Sequence, residues 1–336
     1  MIAQHALNWQ QQQADAITDL HELLELLQIT MADLPLALQA CADFPLRVPR
    51  SFAARMEKGN PQDPLLRQVL AVGEELTVTP GFSQDPLAEA EHTPVPGILH
   101  KYHGRVLFVV TGACAVNCRY CFRRHFPYND YMPTRERFSD ALAWLAQQPQ
   151  VNEVILSGGD PLTLTDRKLK ELVEALAQIP HLKRLRIHSR SPVMIPERIN
   201  ETLIELLGNS RWQSVLVLHA NHANELTQAL AQGVTALRQQ GVTVLNQAVM
   251  LAGVNDSVAA QEALANGLFD CGVLPYYVHQ LDKVQGAAHF MVPDEKALQI
   301  MKALRARLPG FLLPQLVREN PGDKSKTPVV DIRRIV

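Results

Sequence analysis

From Arg105 onward, short β-rich runs alternate with helical patterns six times, and few folds accept that order. The runs are Arg105–Thr111, Glu153–Ser157, Arg184–His188, Ser214–Leu218, Thr243–Val249 and Leu274–Gln280. Between and after them lie helical patterns over Thr134–Gln147, Asp166–Gln178, Pro196–Leu207, Asn224–Gln239, Ser257–Phe269 and Asp294–Leu308. Such alternation predicts a parallel sheet whose crossovers are right-handed. Six units fall short of the eight that close a barrel. The expected architecture is α/β, a partial (β/α)6 barrel with six parallel strands preceded by a helical N-terminal region. Asp166 and Asp294 stand at helix starts, where an acceptor caps free N–H groups. Gly241 is a C-terminal helix stop.

The expected division is a helical region and linker over 1–100, the barrel over 101–308, and a C-terminal segment over 309–336. In the first part Ile17, Leu20, Leu24 and Leu27 recur at helical spacing. Further helix starts are read at Ser51 and at Asp63, with Pro64 in the first helical position. The span Thr79 to Gly97, rich in Pro and Gly, is an irregular connector. Nothing in these hundred residues carries obvious chemistry. The net charge of −2 gives no basic excess of the kind that marks a nucleic-acid partner. No apolar run reaches the ~18 residues of a membrane span, and Met1 to Gln13 lacks the order of a signal peptide. Five cysteines, three of them clustered, do not form a disulfide framework. These features predict a reduced, cytoplasmic protein.

The three clustered cysteines are Cys114, Cys118 and Cys121, directly after the first strand. Common iron–sulfur sites use four cysteines, so three suggest a [4Fe–4S] cluster with one iron open to a small ligand. A zinc knuckle completed by His125, or inert buried thiols, are the bland alternatives. In parallel α/β folds the loops at the carboxyl ends of the strands carry the site. Ser157-Gly158-Gly159-Asp160, His188-Ser189-Arg190, His219-Ala220-Asn221-His222, Asn246-Gln247 and His279 with Asp282 all fall at or near those ends.

The triplet together with Gly158-Gly159-Asp160 resembles the radical S-adenosylmethionine (SAM) superfamily. Further segments resemble lysine 2,3-aminomutases: His100-Lys101-Tyr102, Cys121-Phe122-Arg123-Arg124, His219 to His222, Pro275-Tyr276-Tyr277 and Gly286 to Phe290. Within that family, Asp282 to Phe290 and Asn117 to Tyr128 are most similar to the branch that makes β-lysine for elongation factor P. The resemblance implies SAM and pyridoxal phosphate (PLP) as cofactors beside the cluster. It assigns Lys326 to PLP, with Lys324 as a rival, because the family's glycine-rich run is replaced here by Pro321 to Ser325. It assigns Lys101 and Arg105 to the PLP phosphate, and Ser157, Gly158, Gly159, Asp160, His219 and Gln247 to the cofactors. Arg123 is the implied anchor of the substrate carboxylate, with Arg119 and Arg124 as neighbours. Asp282 and Glu319 are the implied partners of the substrate ammonium, Glu319 standing where the family has Asp.

The implied reaction is conversion of L-α-lysine to (R)-β-lysine by a radical 2,3-amino shift. An external electron donor reduces the cluster, and a separate ligase attaches the product to elongation factor P. The alternatives are an aminomutase acting on glutamate and a non-catalytic iron–sulfur protein that draws its fourth ligand from Cys41 or Cys271.

Overall fold

The computed structural model describes residues 7–31, 34, 36–131, 134–209 and 211–330. Its nine strands lie side by side in chain order in one curled sheet. They are β1 (Ile98–Tyr102), β2 (Arg105–Thr111), β3 (Glu153–Gly158), β4 (Arg184–Ser189), β5 (Gln213–Leu218), β6 (Thr243–Val249), β7 (Leu274–His279), β8 (Gln315–Arg318) and β9 (Thr327–Pro328). Strands β2 to β8 pair in parallel, while β1 and β9 flank them antiparallel. The six expected strands are β2 to β7. A seventh parallel strand, β8, comes from the segment 309–336, and β1 from the end of the connector. No pairing joins β1 to β9 among the described residues, so the barrel stays partial.

The strands bury their two faces differently. On β4 and β6, residues aimed at the helices are buried (Leu185, Ile187, Val244, Asn246, Ala248), while Arg186, His188, Leu245 and Gln247 line a half-open lumen. Helix packing drives the first set and leaves the second free for polar side chains. The helices Arg135–Ala146, Asp166–Ala177, Glu201–Leu207, Gln228–Gln239, Val258–Asp270 and Asp294–Arg305 form the outer layer. Thr134, Thr165, Asn200, Thr227 and Ser257 accept the N-terminal N–H bonds of the first five. This corrects the capping expected of Asp166 and Asp294. Each is instead the first helical residue, and their carboxylates pair with Arg198 and Arg318. The pattern over Pro196–Leu207 divides into a short 3-10 turn, Pro196–Arg198, and a helix capped by Asn200.

The N-terminal region adds helices Leu20–Leu27 and Ala37–Asp43 and shorter turns. Asp63 caps two N–H groups at the turn after it, whereas Ser51 Oγ donates to the Met194 carbonyl. Its apolar side chains, from Trp9 to Leu70, join the barrel's own in one core cluster. Arg55 strengthens the join by donating to the carbonyls of Val193, Met194 and Glu225.

Candidate active site

The three cysteines lie on the loop that leaves β2, at the carboxyl end of the sheet. That loop is held by backbone from two directions. Asn117 N–H donates to the Arg47 carbonyl and Arg119 N–H to the Gln68 carbonyl, tying it to the N-terminal region. From the barrel side, Gly159 N–H donates to the Thr111 carbonyl at 2.7 Å and Asp160 N–H to the Ala113 carbonyl at 2.8 Å. The glycine pair is what permits this approach. A Cβ on Gly158 would lie 2.4 Å from the Thr111 oxygen, and one on Gly159 2.4 Å from the Ala113 oxygen. Gly158 also has a φ of +123°, open only to glycine. The pair was expected to admit a cofactor; the neighbour it admits within the chain is the cysteine loop.

Asp160 is buried and spends both oxygens inside the protein. Oδ1 accepts from Leu162 N–H and Ser189 Oγ, and Oδ2 from the N–H groups of Arg190 and Ser191. It thereby fixes the loop after β3 to the loop after β4. That loop supplies Arg190, which donates through Nη1 to Cys118 Sγ at 2.8 Å and to the Tyr120 hydroxyl. Its Nη2 donates to Gln68 Oε1 and Glu225 Oε2. Arg190 therefore lays positive charge against a cysteine sulfur, a role its place in the sequence alone did not reveal.

A second buried network lies behind the cysteines. Arg119, wholly buried, makes a two-pronged pair with Glu75 at 2.8 and 2.6 Å, and Arg124 adds a contact to the same carboxylate at 2.8 Å. Glu75 belongs to the region that was read as carrying no chemistry. Its partners lie more than 40 residues away, beyond any local pattern.

Desolvation, then Cys121, hold the Cys114 thiol well above its ordinary pKa. Desolvation, then Cys118, push Cys121 up to about 11. Thiols that oppose one another's ionisation in this way suit a cationic iron core, which draws its ligands as thiolates. His125 Nε2 donates to the Gln285 carbonyl, 3.2 Å away. Among the described residues no three His, Cys, Asp or Glu could share a single metal ion. Cys271 ends the helix before β7, at the opposite end of the barrel, and Cys41 interacts with Arg119 and Glu75.

Arg123 leaves the cysteine loop and turns into the mouth. It is 5% exposed, with Nη1 on Ser157 Oγ at 3.1 Å and Nε and Nη2 on the carboxylate of Glu89 at 2.8 and 2.6 Å. Across the mouth, Glu319 follows β8. Its Oε2 accepts from Lys326 Nζ at 2.8 Å and its Oε1 from Lys101 Nζ at 3.1 Å. Because Lys101 sits on β1, this ion pair spans the gap between the edges of the sheet. Burial would raise Glu319, but Lys326 and Lys101 overrule it and hold the carboxyl at about 2. Asp282 is half-buried at the mouth. Desolvation, then Glu319, push it up to about 7.

Lys324 is exposed, whereas Lys326 reaches the lumen near the Tyr277 ring. The turn between them and Glu319 lacks a glycine run and is pinned by Asp323, which accepts from Asn320 and Thr327. Arg105 stacks on Tyr102 at 4.7 Å. His188, His219 and His279 are packed in the lumen with each Nε2 buried and without a hydrogen-bond partner among the described residues. Desolvation holds all three below the usual imidazole range, His219 at about 3. Lys326 acts electrostatically on each of them. Neutral imidazoles with free Nε2 atoms beside a lysine fit a polar aromatic cofactor.

Over 323 residues the chain is 54% identical to an L-lysine 2,3-aminomutase of Escherichia coli strain K12, covering 96% of this chain and 94% of that one. The chain belongs to the L-lysine 2,3-aminomutase family. This is a family of radical SAM isomerases, and residues 108–260 match the model of the radical SAM superfamily. Similarity extends to the L-lysine 2,3-aminomutases of Haemophilus influenzae, 47% identical over 95% of both chains, and Clostridium subterminale, 35% identical over 96% of this chain and 78% of the other. A solved radical SAM methyltransferase from Sphaerobacter thermophilus is a distant likeness, with a TM-score of 0.47 and 18% identity over 66% of this chain and 68% of that one. For a member of this family, the surroundings of Arg190, Glu75 and Glu89 extend the expected set of site residues into the N-terminal region.

Proposed function

We propose that the chain converts L-α-lysine to (R)-β-lysine by a radical 2,3-amino shift. The observation that carries this reading is the charge cluster of Lys326, Glu319 and Asp282 at the same mouth as the three-cysteine loop. Cys114, Cys118 and Cys121 would hold a [4Fe–4S] cluster, and Lys326 would hold PLP, with Lys101 and Arg105 toward its phosphate. Ser157, Gly158, Gly159, Asp160, His219 and Gln247 would frame the cofactors. When bound, the cluster with SAM supplies a carbon-centred radical, and PLP supplies the ring system through which the nitrogen migrates.

The chain's own side chains bind and orient. The planar fork of Arg123 suits the two oxygens of the substrate carboxylate. Asp282 and Glu319 suit the distal ammonium. Lys326 and Lys101 each hold one oxygen of Glu319, so a Lys326 engaged by PLP would leave Oε2 open to a cationic ligand. An acidic side chain in place of the ammonium would face two carboxylates in a desolvated pocket, an arrangement of high cost. That favours lysine over glutamate.

The wider role follows the same reading. An external donor reduces the cluster in the cytoplasm, and a separate ligase transfers the product to elongation factor P. Segments 1–100, 101–308 and 309–336 act as cover, barrel and carrier of the PLP lysine. Anaerobic incubation of reconstituted protein with SAM, PLP, dithionite and lysine, followed by chiral amino-acid analysis, tests the central claim. (R)-β-lysine is the expected product; turnover of glutamate but not lysine would overturn it.

A further inference from the structure

The side-on face of the Arg123 guanidinium is already occupied from within the chain. Nε and Nη2 grip the two oxygens of Glu89 at 2.8 and 2.6 Å, while Nη1 serves Ser157 Oγ at 3.1 Å and leans on the Gly158 carbonyl at 3.4 Å. This is the two-pronged geometry that an amino acid's α-carboxylate adopts on arginine. Glu89 therefore offers Arg123 the same group, with the same charge, as a substrate would. Its carboxylate also acts on Asp282 electrostatically, which places it toward the mouth.

The segment bearing Glu89 is shaped to present it. Ala88, immediately before, has a φ of +51°, a left-handed conformation that residues with a Cβ seldom adopt. Asp85 accepts from the Glu89 N–H at 3.2 Å, and Thr93 Oγ1 donates to the Glu89 carbonyl at 3.1 Å. Upstream, Ser83 exchanges backbone bonds with Lys283 and Gln285, both 2.9 Å. The strap thus hangs from the loop that carries Asp282.

Two carboxylates cannot share this guanidinium cheaply. With Glu89 and a second carboxylate both present, one negative charge has no counter-ion in a buried site. We propose that Glu89 is an internal competitor for the substrate carboxylate: it occupies the Arg123 fork and ties down its own strap until a ligand bearing an α-carboxylate displaces it. The proposal rests on the reading of Arg123 as the carboxylate anchor. A diamine without a carboxylate, such as 1,5-diaminopentane, can meet Asp282 and Glu319 but leaves Glu89 in place. Lysine displaces Glu89 and frees the strap.

Calorimetric titration of PLP-loaded protein with each ligand, without SAM or reductant, tests this alongside amide hydrogen exchange of residues 84–93. Glu89→Gln should tighten lysine binding about tenfold, which corresponds to about 1.4 kcal/mol, and leave the diamine unaffected. Glu89→Asp, which keeps the charge, should retain the wild-type preference. In the wild type, lysine but not the diamine should speed exchange across the strap. Unchanged or weaker lysine binding in Glu89→Gln, or a strap that lysine leaves equally protected, overturns the proposal. The exchange result decides the matter even if Glu89→Gln does not fold. Arg123→Gln separates the two claims. If it loses lysine affinity selectively while Glu89→Gln changes nothing, the anchor stands and the competitor fails. If Arg123→Gln binds lysine normally, the anchor itself is wrong.

Discussion

Glu319 receives the Lys326 ammonium on Oε2 at 2.8 Å, so the proposed PLP lysine and a proposed substrate-binding carboxylate neutralise each other. Lys101 holds the other oxygen. Three charged groups expected to meet three different ligand atoms are thus each other's counter-ions. Removing the shared carboxylate should therefore be felt in stability before any question of turnover. Glu319→Gln leaves two neighbouring lysines uncompensated in a largely buried site and should cost about 3 kcal/mol. Thermal unfolding of the apoprotein measures this, and an unchanged melting temperature would show the pair to be idle.

Lys326 and Lys324 differ in where they point. Lys326→Ala should abolish the PLP absorbance band of the loaded protein, whereas Lys324→Ala should leave it intact. The reverse result would transfer the assignment.

Asp282 gives the site a pH signature. Its carboxyl is raised from the ordinary 3.8 to about 7, and only the ionised form suits an ammonium. Lysine affinity should fall about tenfold for each pH unit below 7 and level off above it. Asp282→Asn should bind weakly at every pH, without that slope. Stability runs in the opposite sense. The neutral carboxyl favours the fold, so its contribution is complete below the unfolded pKa of 3.8 and lost as pH rises through about 7. Affinity titrations from pH 5.5 to 8.5, about 1.5 units either side of that value, check the first claim.

Gly159→Ala should strike the cysteine loop rather than the barrel. Its new Cβ would press on the Ala113 oxygen from 2.4 Å, and neither partner is a flexible side chain. Iron and sulfide per chain after anaerobic reconstitution should drop by at least half, roughly the outcome expected for a clash costing about 1–3 kcal/mol. Cys41→Ala and Cys271→Ala should retain full iron, and loss in either would revive a fourth protein ligand.

The parts of this fold that depend on local pattern were legible in the sequence. Val154, Leu156, Leu185 and Ile187 mark their strands by composition, and Ser257 marks a helix start. What escaped depended on distant partners. Strand β8 has four residues and exists because β7 offers a parallel edge to Gln315–Val317. Glu75 and Glu89 lie in a stretch rich in turn residues, and only the folded chain brings them to Arg119 and Arg123. Asp160 was readable as a polar residue at a strand end, but its four internal hydrogen bonds, three of them with residues 189 to 191, were not.

The order of the strands also has a consequence in time. The cysteine loop follows the first parallel strand and Lys326 follows the last, about two hundred residues later. At a synthesis rate of about 5–20 residues per second, that interval is on the order of 10–40 s. A nascent chain therefore displays its thiols well before the lysine half of the mouth exists. On the proposed function, the thiol half of the mouth is synthesised, and meets oxygen, before the lysine half.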